Sequence, residues 1–141
     1  MKILITGGAG FIGSHLAERL LEDGHKVSIV DNLSTGRLEN IESIKENGNF
    51  HYTIGSILNR SLMEKLTAGI DQVYHLAAAV GVKYVIENPL LSLKTNIVGT
   101  DNVLELANKH KAKVLITSTS EIYGKSDKVP FSEDDDRLLG S

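Results

Sequence analysis

The sequence predicts a doubly wound α/β domain built on a parallel sheet, and three observations predict it. Short apolar runs alternate with segments of helical period along most of the chain. The first run ends in a turn, Thr6-Gly7-Gly8-Ala9-Gly10-Phe11-Ile12-Gly13, that leads straight into the first helical segment. The chain has 141 residues, 41% apolar and 23% charged, an ordinary composition for one globular domain.

Each element follows from its residues. Residues 2–6 (KILIT) form a continuous apolar run, the mark of a parallel strand covered on both faces. Over 11–23 the apolar residues Ile12, Leu16 and Leu20 recur every fourth position, which predicts a helix with one buried stripe and Gly24 at its end. A second strand is expected over 26–31, a second helix over 38–46, a third strand over 50–54 and a short helix over 61–66. A fourth strand occupies 72–76. Pro89 suits the first turn of a long helix over 88–110. Its residues Leu90, Leu93, Ile97, Thr100, Leu104 and Ala107 alternate spacings of three and four and so share one face. Residues 113–117 (KVLIT) give a fifth strand. Right-handed crossovers favour the order 3-2-1-4-5. The acidic run 133–136 reads as a solvated loop, not a metal site.

Composition excludes several functions. Net charge is −3, which gives no footing for nucleic acid or a membrane surface. The chain has no cysteine, so disulfides, thiolate metal sites and cysteine nucleophiles are excluded. A cytoplasmic location is expected. No apolar run approaches the ~18 residues of a membrane span. Residues 3–13 follow Lys2 and are apolar, but their glycines interrupt the continuous core a signal peptide needs.

The glycine turn carries the chemistry. Gly7 permits a tight exit from the strand, Gly10 a close approach of backbone to a pyrophosphate, and Gly13 the packing of helix on sheet. Free N–H groups at the helix start then face the phosphates. A glycine pattern alone is weak; this one follows a strand, opens a helix and precedes a second strand ending in Asp31. A carboxylate there accepts hydrogen bonds from the adenosine ribose and repels the extra phosphate of NADP, so NAD is the expected cofactor. The alternative for Asp31 is a turn former at a strand end. Arg37, beyond it, is the only nearby candidate for a 2′-phosphate ligand.

Five motifs occur in order: the glycine turn, Asp31-Asn32-Leu33-Ser34-Thr35-Gly36, His75-Leu76-Ala77-Ala78, Asn96-Ile97-Val98-Gly99-Thr100 and Ser118-Thr119-Ser120-Glu121-Ile122-Tyr123-Gly124. Together they resemble the extended short-chain dehydrogenases of the NAD-dependent epimerase/dehydratase family, over the whole chain. The resemblance implies a Rossmann-type doubly wound sheet, NAD as cofactor, a UDP-sugar substrate and a homodimer. It implies that Phe11 and Ile12 contact the pyrophosphate and that Asp31 through Gly36 hold the adenosine. Ser56-Ile57 matches the adenine-contacting pair, although the family usually has aspartate where Ser56 stands. Leu76, Ala77 and Ala78 line the cofactor, and Thr95 and Asn96 pass its nicotinamide side. Thr119 matches the catalytic Ser/Thr that hydrogen-bonds the sugar 4-hydroxyl. Without the family, Thr119 is equally a strand-end residue satisfying backbone groups. His75 is implied to be a packed strand-end histidine, not an acid/base.

One part of the family's machinery is missing. Its base is a tyrosine with a lysine four residues later, the lysine helping to lower a pKa that is near ~10 in free tyrosine. The residues four after Tyr52, Tyr74, Tyr84 and Tyr123 are Ser56, Ala78, Asn88 and Asp127. The expectation is therefore an NAD-binding domain over 1–141 that is incomplete, with the tyrosine–lysine pair, the last strands and the substrate domain beyond Ser141. Three readings remain: a UDP-glucuronate decarboxylase-like enzyme, a UDP-glucose 4-epimerase, and a non-catalytic NAD-binding module. Thr119-Ser120-Glu121 resembles the decarboxylases, with Glu121 as a catalytic candidate or a loop-ordering residue, while Asp31-Asn32-Leu33-Ser34 looks more epimerase-like.

Overall fold

A computed structural model describes residues 1–126 and 128–138. Five parallel strands, β1 (Lys2–Thr6), β2 (Lys26–Asp31), β3 (Phe50–Ile54), β4 (Gln72–His75) and β5 (Lys113–Ile116), form one sheet in the order β3-β2-β1-β4-β5. This is the order expected from right-handed crossovers. Lys2 lies opposite Lys26 on one side of β1, and Ile3 opposite Gln72 on the other.

Helices cover both faces. α1 (Phe11–Glu22) packs on one face with Ile3, Ile5, Val27, Ile29 and Phe50. α2 (Arg60–Thr67) and α5 (Thr100–Lys109) cover the other, where Leu4, Val30, Met63, Val73, Val103 and Leu106 meet. The Asn59 side chain caps α2 by accepting the Leu62 N–H at 3.1 Å. A strand buried from both sides has no polar face to present, which is why β1 reads as an unbroken apolar run.

The structure corrects several expectations. Residues Leu38–Ile44 form a 3-10 helix and not an α-helix. Only Ile41 and Ile44 are buried there, and residues three apart stack on one side of a 3-10 helix. In α1 the buried residues are Gly13, Ser14, Ala17 and Leu20, while Ile12 is exposed beside the glycine turn. A helix that the sequence pattern did not announce, α3 (Val82–Glu87), has no buried residue and so no amphipathic signature. The long helix is α4 (Pro89–Lys94), a π-helical turn over Thr95–Gly99, then α5. Of its expected stripe Leu90, Leu93 and Ile97 are 74%, 57% and 63% exposed, while Ala107 is buried and shares the sheet-facing side with Asn102, Val103 and Leu106. β4 and β5 each stop one residue short of the expected end, at His75 and Ile116. β5 is the outer strand, with Leu115 and Ile116 both 46% exposed. The acidic run is not wholly solvated: Asp135 is buried, pairs with Lys128 and accepts the Ser132 N–H at 2.7 Å. The lysine holds its carboxyl below the usual carboxylate range.

Candidate functional site

The carboxyl ends of the parallel strands open into a cleft of ≈ 960 Å3, where open α/β sheets bind their ligands. The glycine turn forms its floor. Gly7 adopts φ 72°, and a Cβ there would meet the Ala77 backbone N at 2.9 Å. A Cβ on Gly13 would meet the Gly7 carbonyl at 2.3 Å, so the approach of α1 to the turn requires a glycine. Gly10 differs: its Cβ would touch only the Gly7 carbonyl, at 3.2 Å. That carbonyl would have to give by only a few tenths of an ångström, so packing constrains Gly10 less than Gly7 or Gly13. The space beyond Gly10 belongs to the cleft, whose wall also holds Phe11, 78% exposed, and Ile12. Among the described residues the Phe11 and Ile12 N–H groups have no backbone acceptor outside the helix, as expected for a helix start. Donors and dipole together suit an anionic phosphate group.

Asp31 closes one end. Its carboxylate accepts the Ala9 N–H at 3.0 Å and the Leu33 N–H at 2.8 Å. It is thus both turn former and cleft residue, since a carboxylate keeps lone pairs for further donors. A Cβ on Gly36 would lie 2.8 Å from this carboxylate, so Gly36 makes room for it. Asn32, Ser34 and Thr35 line the same end, whereas Leu33 turns inward onto the core and neither Leu33 nor Gly36 reaches the wall. The Arg37 side chain is exposed, and its backbone N–H donates to the Ala9 carbonyl at 3.0 Å.

Ser56 and Ile57 join the wall after β3. Ser56 Oγ accepts the Leu58 N–H at 3.2 Å, and the Ile57 carbonyl accepts from Asn102 Nδ2 at 3.1 Å. Leu76, Ala77 and Ala78 follow β4 along the wall, and Thr95 and Asn96 come from the π turn. The Asn96 amide ties the turn to this loop, accepting the Ala79 N–H at 2.7 Å and donating to the Ala79 carbonyl at 3.3 Å. π turns favour functional sites, where one extra residue re-aims side chains.

Thr119 lies on the wall and is exposed, and its Oγ1 accepts the Glu121 N–H at 3.3 Å. Glu121 is exposed in the 3-10 turn Ser120–Tyr123 and is not brought to the wall. Among the wall residues that the sequence reading did not assign to the cleft are His75, Tyr84 and Thr100. His75 is 3% exposed. Its Nδ1 lies 2.7 Å from Thr6 Oγ1 and its Nε2 2.9 Å from Thr100 Oγ1. Burial pushes the imidazole below its ordinary pKa. Thr100 was counted in an apolar stripe because period alone does not show where a hydroxyl turns. Tyr84 sits in the unannounced α3.

Comparison with known proteins agrees with this arrangement. The chain is 50% identical to UDP-N-acetyl-alpha-D-glucosaminuronate decarboxylase of Bacillus cytotoxicus over 99% of this chain and 43% of that protein. It is 45% identical to UDP-glucuronic acid decarboxylase 1 of Danio rerio over 94% of this chain and 31% of that protein. Among solved structures, UDP-glucose-4-epimerase from Stenotrophomonas maltophila, with bound NAD and formylated UDP-arabinopyranose, superposes with a TM-score of 0.87 at 31% identity. That match covers 98% of this chain and 43% of the epimerase. The chain therefore spans less than half the length of the relatives it matches. The family model described as GDP-mannose 4,6 dehydratase matches residues 4–137, and the chain belongs to that family, within the NAD-dependent epimerase/dehydratases that its ordered motifs resemble.

Proposed function

We propose that this chain is the NAD-binding part of a nucleotide-sugar enzyme that works through a 4-keto UDP-sugar, with decarboxylation of a UDP-linked uronate as the leading reaction. The observation that carries the reading is Gly10, which packing constrains less than Gly7 or Gly13, on an open cleft beside helix-start N–H groups that have no backbone acceptor among the described residues. Phe11 and Ile12 would hold the pyrophosphate and Asp31 the adenosine ribose. Ser56 and Ile57 would flank the adenine, and Leu76, Ala77, Ala78, Thr95 and Asn96 the nicotinamide side. Bound there, NAD would supply a hydride acceptor for the sugar C4. Thr119, exposed on the wall, can hydrogen-bond the sugar 4-hydroxyl, but its own hydroxyl hardly ionises and it is no base.

The lean to decarboxylation rests on the Thr119-Ser120-Glu121 order and on the names of the relatives at 50% and 45% identity. Glu121 would act in proton transfer near C5–C6 only after turning toward the cleft. The 4-epimerase reading is favoured by the Asp31-Asn32-Leu33-Ser34 segment and the solved epimerase. A non-catalytic NAD-binding module is the third reading. Titration calorimetry at one ionic strength tests the cofactor: NAD binds and NADP binds more weakly, because Asp31 repels the 2′-phosphate. Equal or tighter binding of NADP rejects the role of Asp31. Offering the longer protein UDP-glucuronate and UDP-glucose separately tests the reaction. Carbon dioxide from the first supports the lean, interconversion of UDP-glucose and UDP-galactose alone supports the epimerase, and inertness toward both supports the module.

A further inference from the structure

The cofactor cleft has three walls that meet on one buried side chain. The glycine turn leaves β1 directly after Thr6, the Leu76–Ala79 loop leaves β4 directly after His75, and the helical wall reaches α5 at Thr100. His75 bridges all three: Nδ1 to Thr6 Oγ1 at 2.7 Å and Nε2 to Thr100 Oγ1 at 2.9 Å. Thr6 Oγ1 also accepts the Ala77 N–H at 3.1 Å. Ala77 in turn abuts Gly7, whose missing Cβ would lie 2.9 Å from the Ala77 backbone N.

The bonding capacities fit a neutral ring. A neutral imidazole protonated at Nε2 satisfies each bond: Thr6 Oγ1 accepts the Ala77 N–H and donates to Nδ1, and Nε2 donates to Thr100 Oγ1. An imidazolium would donate at both nitrogens. Thr6 Oγ1 would then receive two donors, from the ring and from Ala77, and its own hydrogen would lose the imidazole as acceptor. Buried polar chains of this kind fix geometry only when every member is paired.

From this geometry we infer that His75 is a positioning residue of the cofactor cleft: it relays the position of Thr100 on α5 through Thr6 to the Ala77 backbone. The relay, together with the Asn96 amide on Ala79, sets the loop and the helix in one register against the glycine turn. Its effect on cofactor affinity rests on the proposal that NAD occupies the cleft.

Thr100→Val tests the relay, because it replaces a hydroxyl by an isosteric methyl far along the chain of bonds from Ala77. Backbone amide exchange by NMR is the direct readout. Exchange at Ala77 accelerates roughly tenfold, while amides of the β2–β3 ladder keep their rates. Thr100→Ser restores the wild-type rate. In a Thr6→Val background, Thr100→Val adds nothing at Ala77, since the route is already cut. If Thr6→Val does not fold, the Thr100 pair alone decides. Unchanged exchange at Ala77, or equal acceleration at every core amide, overturns the relay. Calorimetry on the same samples reads the consequence: NAD binds Thr100→Val roughly 3- to 10-fold more weakly than wild type and Thr100→Ser. Unchanged affinity with a selective Ala77 effect would overturn the link to the cofactor. A wild-type chain that does not bind NAD would refute the proposed function, and amide exchange would still decide the relay.

Discussion

At Gly10 and Gly13 the same residue type does two different jobs. A methyl group at Gly10 meets only one carbonyl at 3.2 Å and points to the cleft, whereas at Gly13 it would lie 2.3 Å from the Gly7 carbonyl. Gly10→Ala is expected to cost the fold less than about 1 kcal/mol, yet to weaken NAD at least about tenfold by obstructing the pyrophosphate. Gly13→Ala should cost about 1–3 kcal/mol of stability, the usual cost of overpacking. Urea melts paired with NAD titrations separate the two, and equal stability losses would show that Gly10 is also structural. The spacing marked both glycines, but spacing does not say which is held by packing and which by a ligand. His75 was legible as a strand-end residue and not as a junction, because its partners Thr6 and Thr100 lie far away in sequence. Its lowered pKa also has a pH signature. The unfolded chain binds a proton at this histidine near the ordinary ~6.5, while the folded chain resists it to lower pH. Stability is therefore fully present above about pH 6.5, falls as the pH drops below it, and levels off once the folded imidazole protonates. Urea midpoints between about pH 8 and pH 5 should fall more steeply for wild type than for His75→Gln. Parallel profiles would remove His75 from the account.

The long helix shows what a periodic pattern can and cannot reveal about an element. Its existence and its proline start were legible, but the π turn was not: its residues meet partners distant in sequence, the Asn96 amide on Ala79 and Gly99 against Ile57. A Cβ on Gly99 would lie 2.4 Å from Ile57 Cδ1, so Gly99→Ala must displace a buried side chain and should cost about 1–2 kcal/mol in a thermal melt. The apolar stripe of Leu90, Leu93 and Ile97 faces outward. Spacings of three and four look alike whether a helix buries that face in its own core or against another molecule. Self-association through this face is the expectation, in keeping with the homodimer implied by the family resemblance. Leu93→Glu with Ile97→Glu should shift sedimentation toward monomer while the melting temperature stays within about the small change typical of surface substitutions. Unchanged sedimentation would locate any association elsewhere.

Taken whole, the molecule concentrates its proposed binding groups at one end of the sheet. Strand order and the cleft were legible because alternation, handedness and the glycine turn each constrain topology. The 3-10 segment and α3 were not, since short segments with few buried residues carry little pattern. The chain as given is expected to bind NAD and to form no NADH from any UDP-sugar. Thr119 cannot serve as base, and general-base help is worth typically about 10²–10⁴-fold. Unpositioned substrate forfeits roughly another 7–11 kcal/mol. Calorimetry with NAD followed by an absorbance assay with UDP-sugars checks both halves, and turnover would return Tyr123 and His75 to consideration as acid/base groups. The central place of β1 has a consequence in time. It is made before its partners, yet one side of it pairs with β2 and the other only with Gln72–His75. At synthesis rates of ~5–20 residues per second, roughly 4–14 seconds separate β1 from β4. During that interval the nascent chain holds Ile3, Leu4 and Ile5 with one flank bare, and this is the window in which chaperones have most to shield.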